Sequence, residues 1–390
     1  MKKALFMLVC LLCLLCTAAM AQEAQDITAD CTFAVSNGKG DMKKMFDEKY
    51  TTKWTSTRKG YLDITAPEGE AIHGLYVSWS HYITNWRIDA KDENGNWVPV
   101  YETEDQFYNQ YIPLEGGYQA IRMQCLSPDN DHALHISELK VLGEGEVPGW
   151  VQQWKNFTGK ADLVLIATDP GDEYLFFGGL IPHYVAQGKE VMLCIIINTA
   201  AQYKNELLNG LWHCGMTNYP YIAYFKPNLS TSMKQQYATW SEVQFVRHVT
   251  RIVRIYDPDV LVTHSRDGEV NDGGHKVCAD AAIRAIRLAV DDKYDIGYGL
   301  KLYGNWALPK LYLHTPRTGD VVLDYNQPLD FFGGKTAQQI ATEAYAMQSY
   351  QRRTAKTLPT DGAYNGAAYV LQYSAVGDDV QKNDFFENLQ

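Results

Sequence analysis

The chain is 390 residues long, 46% hydrophobic and 21% charged, and it carries a formal net charge of -11 at pH 7. These values are typical of a globular protein with enough residues for two domains. The negative balance argues against nucleic acid or an anionic membrane as a partner, because both bind clustered Lys and Arg.

The first 21 residues have the pattern of a secretory signal peptide. Lys2 and Lys3 precede an apolar run over residues 4–15, and Ala19-Met20-Ala21 forms a small-x-small cleavage site. Cleavage after Ala21 predicts an exported protein, periplasmic or extracellular. The apolar run is too short to span a membrane, and no later segment reaches that length free of charge, so no transmembrane segment is expected.

Five cysteines remain after the predicted signal peptide, an odd number for an oxidising compartment. Cys31 and Cys125 lie near the two ends of the first predicted domain and are the best candidates for a disulfide. Cys194 and Cys278 lie in an apolar strand and in a helix, and we expect both to be small buried hydrophobes.

Residues 22–146 show an all-β pattern. Short alternating segments such as GLYVSW, WRIDA and AIRMQC are separated by turn sequences such as NGKG, APEG and ENGN. The sequence GEGEVPG at 143–149 then has the Gly, Pro and acid content that is typical of a linker.

This first domain resembles the discoidin, or F5/8 type C, family. The motifs MFDEKYTTKW, WRIDAKDENGNWVPV and AIRMQCLSPDNDHALHISELKVLG carry the resemblance, in this order. It implies a β-sandwich, in a family whose members often bind carbohydrate through loops at one end. Trp79, Tyr82 and Trp86 are candidates to stack on sugar rings. The alternative is that most of these aromatic side chains fill the sandwich core.

From residue 150 to residue 390, strands and helices alternate. The order is the strand ADLVLIAT, a helix from about 173 to 187, the strand VMLCIII, the helical NELLNGLWHCG, a helix from about 238 to 256, the strand DVLVTH and a helix from about 275 to 290. This alternation predicts an α/β, Rossmann-like domain with a mostly parallel sheet.

Two loops of this second domain carry acidic residues at the point where a strand ends and a helix begins. They hold Asp169, Asp172 and Glu173 after the first strand, and Asp267, Glu269, Asp272 and His275 after DVLVTH. Such acids can cap a helix, or they can form a site beyond the carboxyl ends of the strands. If the two strands are neighbours, we expect Asp169, Asp172 and His275 to lie within about 5 Å of one another and to suit a divalent cation.

Residues 158–390 resemble the PIG-L family of metal-dependent deacetylases. ATDPGDEYLFFGGL stands where the family has Ala-His-Pro-Asp-Asp-Glu and a Gly-Gly helix, and PDVLVTHSRDGEVNDGGHKVCADAA stands where it has His-Pro-Asp-His. GGKTAQQIATEAYAMQSYQ at 333–351 resembles a helix of larger members. The resemblance implies that a metal-bound water, on zinc in the family, removes N-acetyl groups from amino sugars.

The resemblance also implies a role for each matching position, and several positions depart from the family. Asp169 stands where the family has a histidine ligand, whereas Asp172 and His275 match the other two ligands. Gly171 stands in place of the general base, and Asp272 in place of the histidine that stabilises the transition state. Because the extra carboxylate favours harder ions, manganese, calcium or no metal remain alternatives to zinc.

Two carboxylates are candidates for the catalytic base that Gly171 lacks. Asp272, on the facing loop, is the first and Glu173 the second, although the family gives the equivalent of Glu173 a structural role. Arg266, Asp267 and His264 are the candidates for substrate binding.

Two main functions remain open. The first is an exported hydrolase that removes N-acetyl groups from amino sugars or glycans, with the discoidin-like module holding it on a polysaccharide. The second is a glycan-binding protein whose PIG-L-like domain is inactive. A metal-dependent hydrolase acting on a different bond is a weaker third. The clustered acids favour the first.

Overall fold

The computed structural model describes residues 22–389 except residues 37, 40, 58, 127–132, 298–302, 318 and 354, so the predicted signal peptide lies outside the described residues. The chain divides into two compact units, the first ending at Gln153 and the second beginning at Trp154. None of the helices in the described part combines the length and the apolar character that crossing a bilayer requires.

The first unit is a sandwich of two five-stranded antiparallel sheets. Their strand orders are β1-β4-β9-β6-β7 and β2-β3-β10-β5-β8. The strands are β1 (Thr32–Val35), β2 (Gly38–Lys39), β3 (Trp54–Ser56), β4 (Tyr61–Thr65), β5 (Ile72–Trp79), β6 (Trp86–Lys91), β7 (Trp97–Glu102), β8 (Asn109–Tyr118), β9 (Ala120–Cys125) and β10 (His135–Leu142). This architecture confirms the predicted β-sandwich.

Alternation of side chains builds the core of the sandwich. Along β9, Ile121, Met123 and Cys125 are buried and the residues between them are half-buried, as expected for a strand with one face on the core. These side chains pack with Trp54 and Leu139 of the other sheet in one apolar cluster. The periodicity of two in the sequence therefore determines which face of each strand is buried.

The segment at 143–149, predicted to be a linker, belongs to the first unit. The N–H of Gly143 donates to the carbonyl of Gln25 at 2.9 Å, and Glu146 exchanges backbone hydrogen bonds with Gln22 and Ala24. This close approach of the two backbones requires glycine at position 145, because a Cβ at Gly145 would lie 2.4 Å from the backbone oxygen of Gln22. The prediction is corrected because these backbone pairs tie the segment to the start of the sandwich.

The predicted disulfide of the first unit is not formed. Within the described residues, no S–S bond joins Cys31 to Cys125. Burial raises the pKa of the Cys31 thiol to about 11. Cys194 and Cys278 are fully buried, as predicted.

The second unit is built on a seven-stranded sheet of order β13-β12-β11-β14-β15-β17-β16. β11 to β15 run parallel, and β17 pairs antiparallel with both β15 and β16. The strands are β11 (Leu163–Ala167), β12 (Val191–Ile197), β13 (Tyr221–Phe225), β14 (Val260–Thr263), β15 (Lys310–His314), β16 (Val321–Val322) and β17 (Ala368–Ser374). The predicted α/β domain with a mostly parallel sheet is confirmed.

Seven α-helices accompany this sheet in the described part of the chain. They are α1 (Asp172–Leu175), α2 (Leu180–Val185), α3 (Ala201–His213), α4 (Met233–Trp240), α5 (Glu242–Tyr256), α6 (Gly273–Leu288) and α7 (Ala337–Ala346). Two predicted helices are each divided in two. Ser241, with φ +60°, separates α4 from α5, and the chain turns at Gly178 and Gly179 between α1 and α2.

Close backbone contacts explain the break at the two glycines. A Cβ on Gly179 would lie 2.8 Å from the backbone of Ala337, and a Cβ on Gly366 would lie 2.3 Å from the nitrogen of Gly178. Partners more than 150 positions away in the sequence therefore shape this turn, and the local helical pattern does not contain them.

Glu138 of the first unit provides a pH test of the sandwich. It accepts the backbone N–H of Lys49 at 2.7 Å, and burial, assisted by the charge of Asp47, raises its pKa from 4.5 to about 7. Between these values the folded state keeps a proton that the unfolded chain loses, so stability falls as pH rises through this window.

We therefore expect the melting temperature of the full chain to fall between pH 5 and pH 7.5, and Glu138→Gln to reduce that fall. Differential scanning calorimetry at both pH values measures it, with the exposed Glu144→Gln as the control. An equal pH dependence in wild type and Glu138→Gln would contradict the assignment.

Candidate functional site

Polar side chains collect at the carboxyl edge of the parallel sheet of the second unit. The loop after β11 carries residues 168–172, the loop after β14 carries residues 264–272, and His314 ends β15. These three strands are adjacent, since β14 pairs with β11 on one side and with β15 on the other. Parallel strands thus bring distant sequence segments to one edge.

Glu269 lies at the centre of three imidazoles. Its carboxylate oxygens lie 3.0 Å from Nδ1 of His264, 2.9 Å from Nδ1 of His275 and 2.5 Å from Nδ1 of His314. The N–H of Ser265 donates to it at 2.8 Å. Burial alone would raise the pKa of Glu269, but the three imidazoles hold it well below its usual value. Glu269 is therefore a buried carboxylate anion.

Asp172 receives three donors from the protein. Its Oδ2 accepts the N–H of Asp169 at 2.9 Å and lies 3.3 Å from Nε2 of His275. Its Oδ1 accepts the side-chain amide of Gln351 at 2.8 Å. Burial disfavours the charged form of His275, but the neighbouring Asp172 and Glu269 raise its pKa well above 6.5. His275 thus lies between two carboxylates.

His264 uses both ring nitrogens within the protein. Its Nε2 accepts the backbone N–H of Thr168 at 3.0 Å, so Nδ1 carries the proton that faces Glu269. Its ring stacks on His275 with a centroid distance of 3.8 Å and an interplanar angle of 4°. Burial, followed by the neighbouring His275, lowers the pKa of His264. Both ring nitrogens of His264 are therefore engaged with the protein.

Contacts within the protein compete with a divalent cation in this arrangement. Among the described residues, ligand atoms of Asp172, His264 and His275 lie within 4.8 Å of one another and form a possible metal-binding group. A cation there would have to displace the N–H of Thr168 from His264 and the proton of His275 from Asp172. The donor set is close enough in space, and the hydrogen bond from Thr168 to His264 and the ion pair of His275 with Asp172 already engage part of it.

Asp169, predicted as a metal ligand, is not in this group. The hydroxyl of Tyr350 hydrogen-bonds to its carboxyl group, and burial, followed by the charge of Asp172, raises its pKa to about 8. The structure therefore corrects the predicted set, because His264 rather than Asp169 joins Asp172 and His275.

Gly171 has no room for a side chain. Its φ is +99°, a region that L-residues rarely adopt. A Cβ there would lie 2.8 Å from Cγ and 2.9 Å from Cβ of Gln351. The space of the family's general base is thus filled by the side chain of Gln351.

The two candidate bases have structural partners. Asp272 caps α6, where its Oδ1 accepts the N–H groups of Gly274 at 2.6 Å and His275 at 3.2 Å. Glu173 is fully buried and accepts from the N–H of Gly171 and from the amide of Gln348. Burial raises the pKa of Glu173 to about 8. Glu173 is thereby corrected as a catalytic candidate, because it cannot reach a substrate.

The three substrate-binding candidates separate into two groups. Arg266 and Asp267 are exposed on the loop after β14, and for them the role stays a prediction. His264 is fully buried with both nitrogens engaged. Its predicted role in substrate binding is therefore corrected.

Two of the three aromatic candidates of the sandwich are core residues. Trp79 and Trp86 are each 3% exposed, and Nε1 of Trp79 donates to Gln110 at 3.1 Å. Their burial favours the core alternative for both, although Trp86 also lines the cavity described next. Tyr82 is 36% exposed and packs on Tyr108 at a centroid distance of 4.2 Å.

A cavity of about 660 Å³ opens near the start of β6 and the end of β7. Polar side chains dominate its lining, and the lining residues are Ile83, Thr84, Asn85, Trp86, Glu102, Thr103, Glu104, Gln106 and Leu126.

The sequence interpretation missed the roles of Glu269, His314, Gln348 and Gln351. One signal for His314 was present, because β15 ends in LYLH as β14 continues into LVTH, and the two strands pair with Thr263 opposite Leu313. Nothing local indicates Gln351, whose partner Asp172 lies 179 positions earlier.

Solved structures resemble each unit in fold. A family 32 carbohydrate-binding module of NanJ from Clostridium perfringens, solved with galactose, is 14% identical, covers 30% of this chain and 98% of its own, and has a TM-score of 0.26. Another family 32 module from Clostridium perfringens, solved with GlcNAc-α-1,4-galactose, is 18% identical, with coverages of 30% and 94% and a TM-score of 0.26.

For the second unit, the conserved protein TT1542 from Thermus thermophilus is 13% identical, covers 56% of this chain and 97% of its own, and has a TM-score of 0.39. No curated protein matches the chain. The family model for PIG-L, GlcNAc-PI de-N-acetylase, matches residues 164–286, which include both acidic loops. The second unit therefore carries a PIG-L segment, as the sequence motifs predicted.

Proposed function

We propose that this protein binds glycans and that its PIG-L-type unit does not hydrolyse amides. The observation that carries the proposal is the side chain of Gln351, which lies against Gly171 and donates to Asp172. An enzyme that removes N-acetyl groups needs water and a base at this place. Here an amide side chain occupies it.

The remaining groups do not supply the missing chemistry. A positioned general base contributes about 10²–10⁴-fold in rate, and Gly171 cannot act as one. Asp272 uses one carboxylate oxygen to cap α6, and Glu173 is fully buried. A bound divalent metal would supply Lewis acidity and an activated water, but its ligands here are engaged with one another.

Glycan recognition is assigned to the sandwich cavity. Asn85, Glu102 and Glu104 are exposed in its lining and can accept or donate hydrogen bonds to sugar hydroxyl groups. The volume of about 660 Å³ lies in the range of small-molecule sites. Tyr82, on the same loop as Asn85, supplies an exposed aromatic ring near this end of the sandwich.

A deacetylase remains the second candidate because of one observation. Asp172, His264 and His275 present ligand atoms within 4.8 Å of one another, at the edge where the PIG-L segment is expected to act. If these hydrogen bonds opened, the three side chains could hold zinc. An exported protein would take that zinc from the surrounding medium.

The two candidates differ in acetate release. We expect the full chain to release no acetate above the blank from N-acetylglucosamine oligosaccharides, with zinc, manganese or cobalt added, because the site lacks a base and a free ligand set. Enzymatic acetate detection measures this. Release that is lost in Asp172→Asn, but kept in the exposed control Asp292→Asn, would establish the hydrolase instead.

Binding through the cavity is tested on the hairpin of β6 and β7. We expect Glu102→Ala to weaken binding of the full chain to its best polysaccharide about tenfold or more, the value of one lost hydrogen bond to a charged group. Affinity gel electrophoresis against neutral, acidic and amino-sugar polysaccharides identifies that ligand first.

Glu93→Ala is the matched control, because Glu93 is exposed at the turn on the opposite end of the same hairpin. Equal losses in the two variants would exclude the cavity. Absence of binding to every polysaccharide would exclude the proposed function.

The contact over Gly171 is tested with a second glycine. Gly159 also has a positive φ, +116°, but nothing lies within 4 Å of a Cβ built there. We expect Gly171→Ala to destabilise the chain by about 1–3 kcal/mol more than Gly159→Ala, because only the first collides with Gln351. Urea unfolding measures the difference, and equal losses would mean that Gln351 does not rest on Gly171.

A further inference from the structure

Four consecutive residues after α7 each hydrogen-bond to a different carboxyl group. This segment, Gln348–Gln351, is called the strap below. The amide of Gln348 donates to Glu173 at 2.6 Å, and the amide of Gln351 donates to Asp172 at 2.8 Å. Two residues of the strap therefore bind two residues of the acidic loop after β11.

The two middle residues of the strap bind two further acids. The N–H and the hydroxyl of Ser349 donate to one oxygen of Glu206 in α3, at 2.7 and 2.6 Å. The hydroxyl of Tyr350 binds Asp169. The strap thus supplies a donor to four acids, which are Asp169, Asp172, Glu173 and Glu206.

These contacts replace what a cation would otherwise provide. A buried carboxylate without donors or a counter-charge is costly, and Asp172 is fully buried. In a metal site the ion neutralises such groups. Here the strap amides donate to them instead.

The strap is held at its base independently of the acids. The hydroxyl of Tyr345, in the last turn of α7, donates to the carbonyl of Ala355 at 2.8 Å. This bond closes a loop of the chain around the strap. The two ends of the segment that contains the strap are therefore joined by a bond that involves none of the four acids.

We propose that the strap is a closing device that takes the place of a cation and keeps the site shut and metal-free. This inference rests on the proposed function, in which the site is not catalytic. It adds that closure depends on the strap donors, and not only on the replacement of the family's ligand and base by Asp169 and Gly171. Removing a donor should then make the site respond to divalent ions.

The test changes one donor in the full chain. Gln351→Glu places a carboxylate against Asp172, so we expect its melting temperature to fall by about 4 °C or more and added zinc or calcium chloride to restore part of the loss. Wild type should shift by less than about 1 °C with either salt. Gln235→Glu, the same change at an exposed site on α4, should leave both values near those of wild type.

Gln351→Ala is the milder variant if Gln351→Glu does not fold. It removes the amide without adding charge, and equilibrium dialysis should then detect zinc on this variant and none on wild type. Zinc bound by wild type, or a Gln351→Glu variant that is as stable as wild type, would overturn the proposal. A destabilised variant that no cation restores would show that the strap does not replace one.

These measurements do not involve a sugar or acetate. Failure of the strap proposal therefore appears in melting and metal binding, whereas failure of the proposed function appears as acetate release or as absence of glycan binding. The two outcomes are separable on the same protein preparations.

Discussion

Charged groups buried at the carboxyl edge of the parallel sheet constrain the second unit more than any other feature. Asp172 and Glu269 are fully buried, and an ion in such a place is stable only with donors or counter-charges around it. These groups come from four places: His264 after β14, His314 at the end of β15, the first turn of α6 and the segment after α7. The loops of this edge are therefore fixed to one another through a connected network, in which loss of any member would leave a buried charge unpaired.

This network also determines what the site can do. The ligand atoms that lie close enough together to hold a cation contact other groups of the protein. The side chain of Gln351 covers the position of a general base. The same fold can thus retain the shape of a PIG-L site while its polar groups hold the loops of this edge together. Recognition is then assigned to the first unit, where exposed polar side chains line an open cavity.

Local patterns in the sequence were sufficient for the architecture of both units, because strand alternation and the alternation of strands with helices are short-range signals. Long-range contacts decided the rest. The helix expected at 173–187 is interrupted where Gly178 and Gly179 meet residues 366 and 337. His264 stands in the ligand group in place of Asp169, whose carboxyl group hydrogen-bonds to Tyr350. Trp79 and Trp86 are buried, which sequence spacing alone did not distinguish from exposure.

The central claim is that protein donors, not a cation, satisfy Asp172. The most direct measurement is a crystal structure of the wild-type chain soaked in zinc, with anomalous data collected at the zinc edge. We predict no anomalous peak between Asp172 and His275, and the amide of Gln351 within hydrogen-bonding distance of Asp172. A peak there, coordinated by Asp172 and His275 with Gln351 displaced, would contradict the claim.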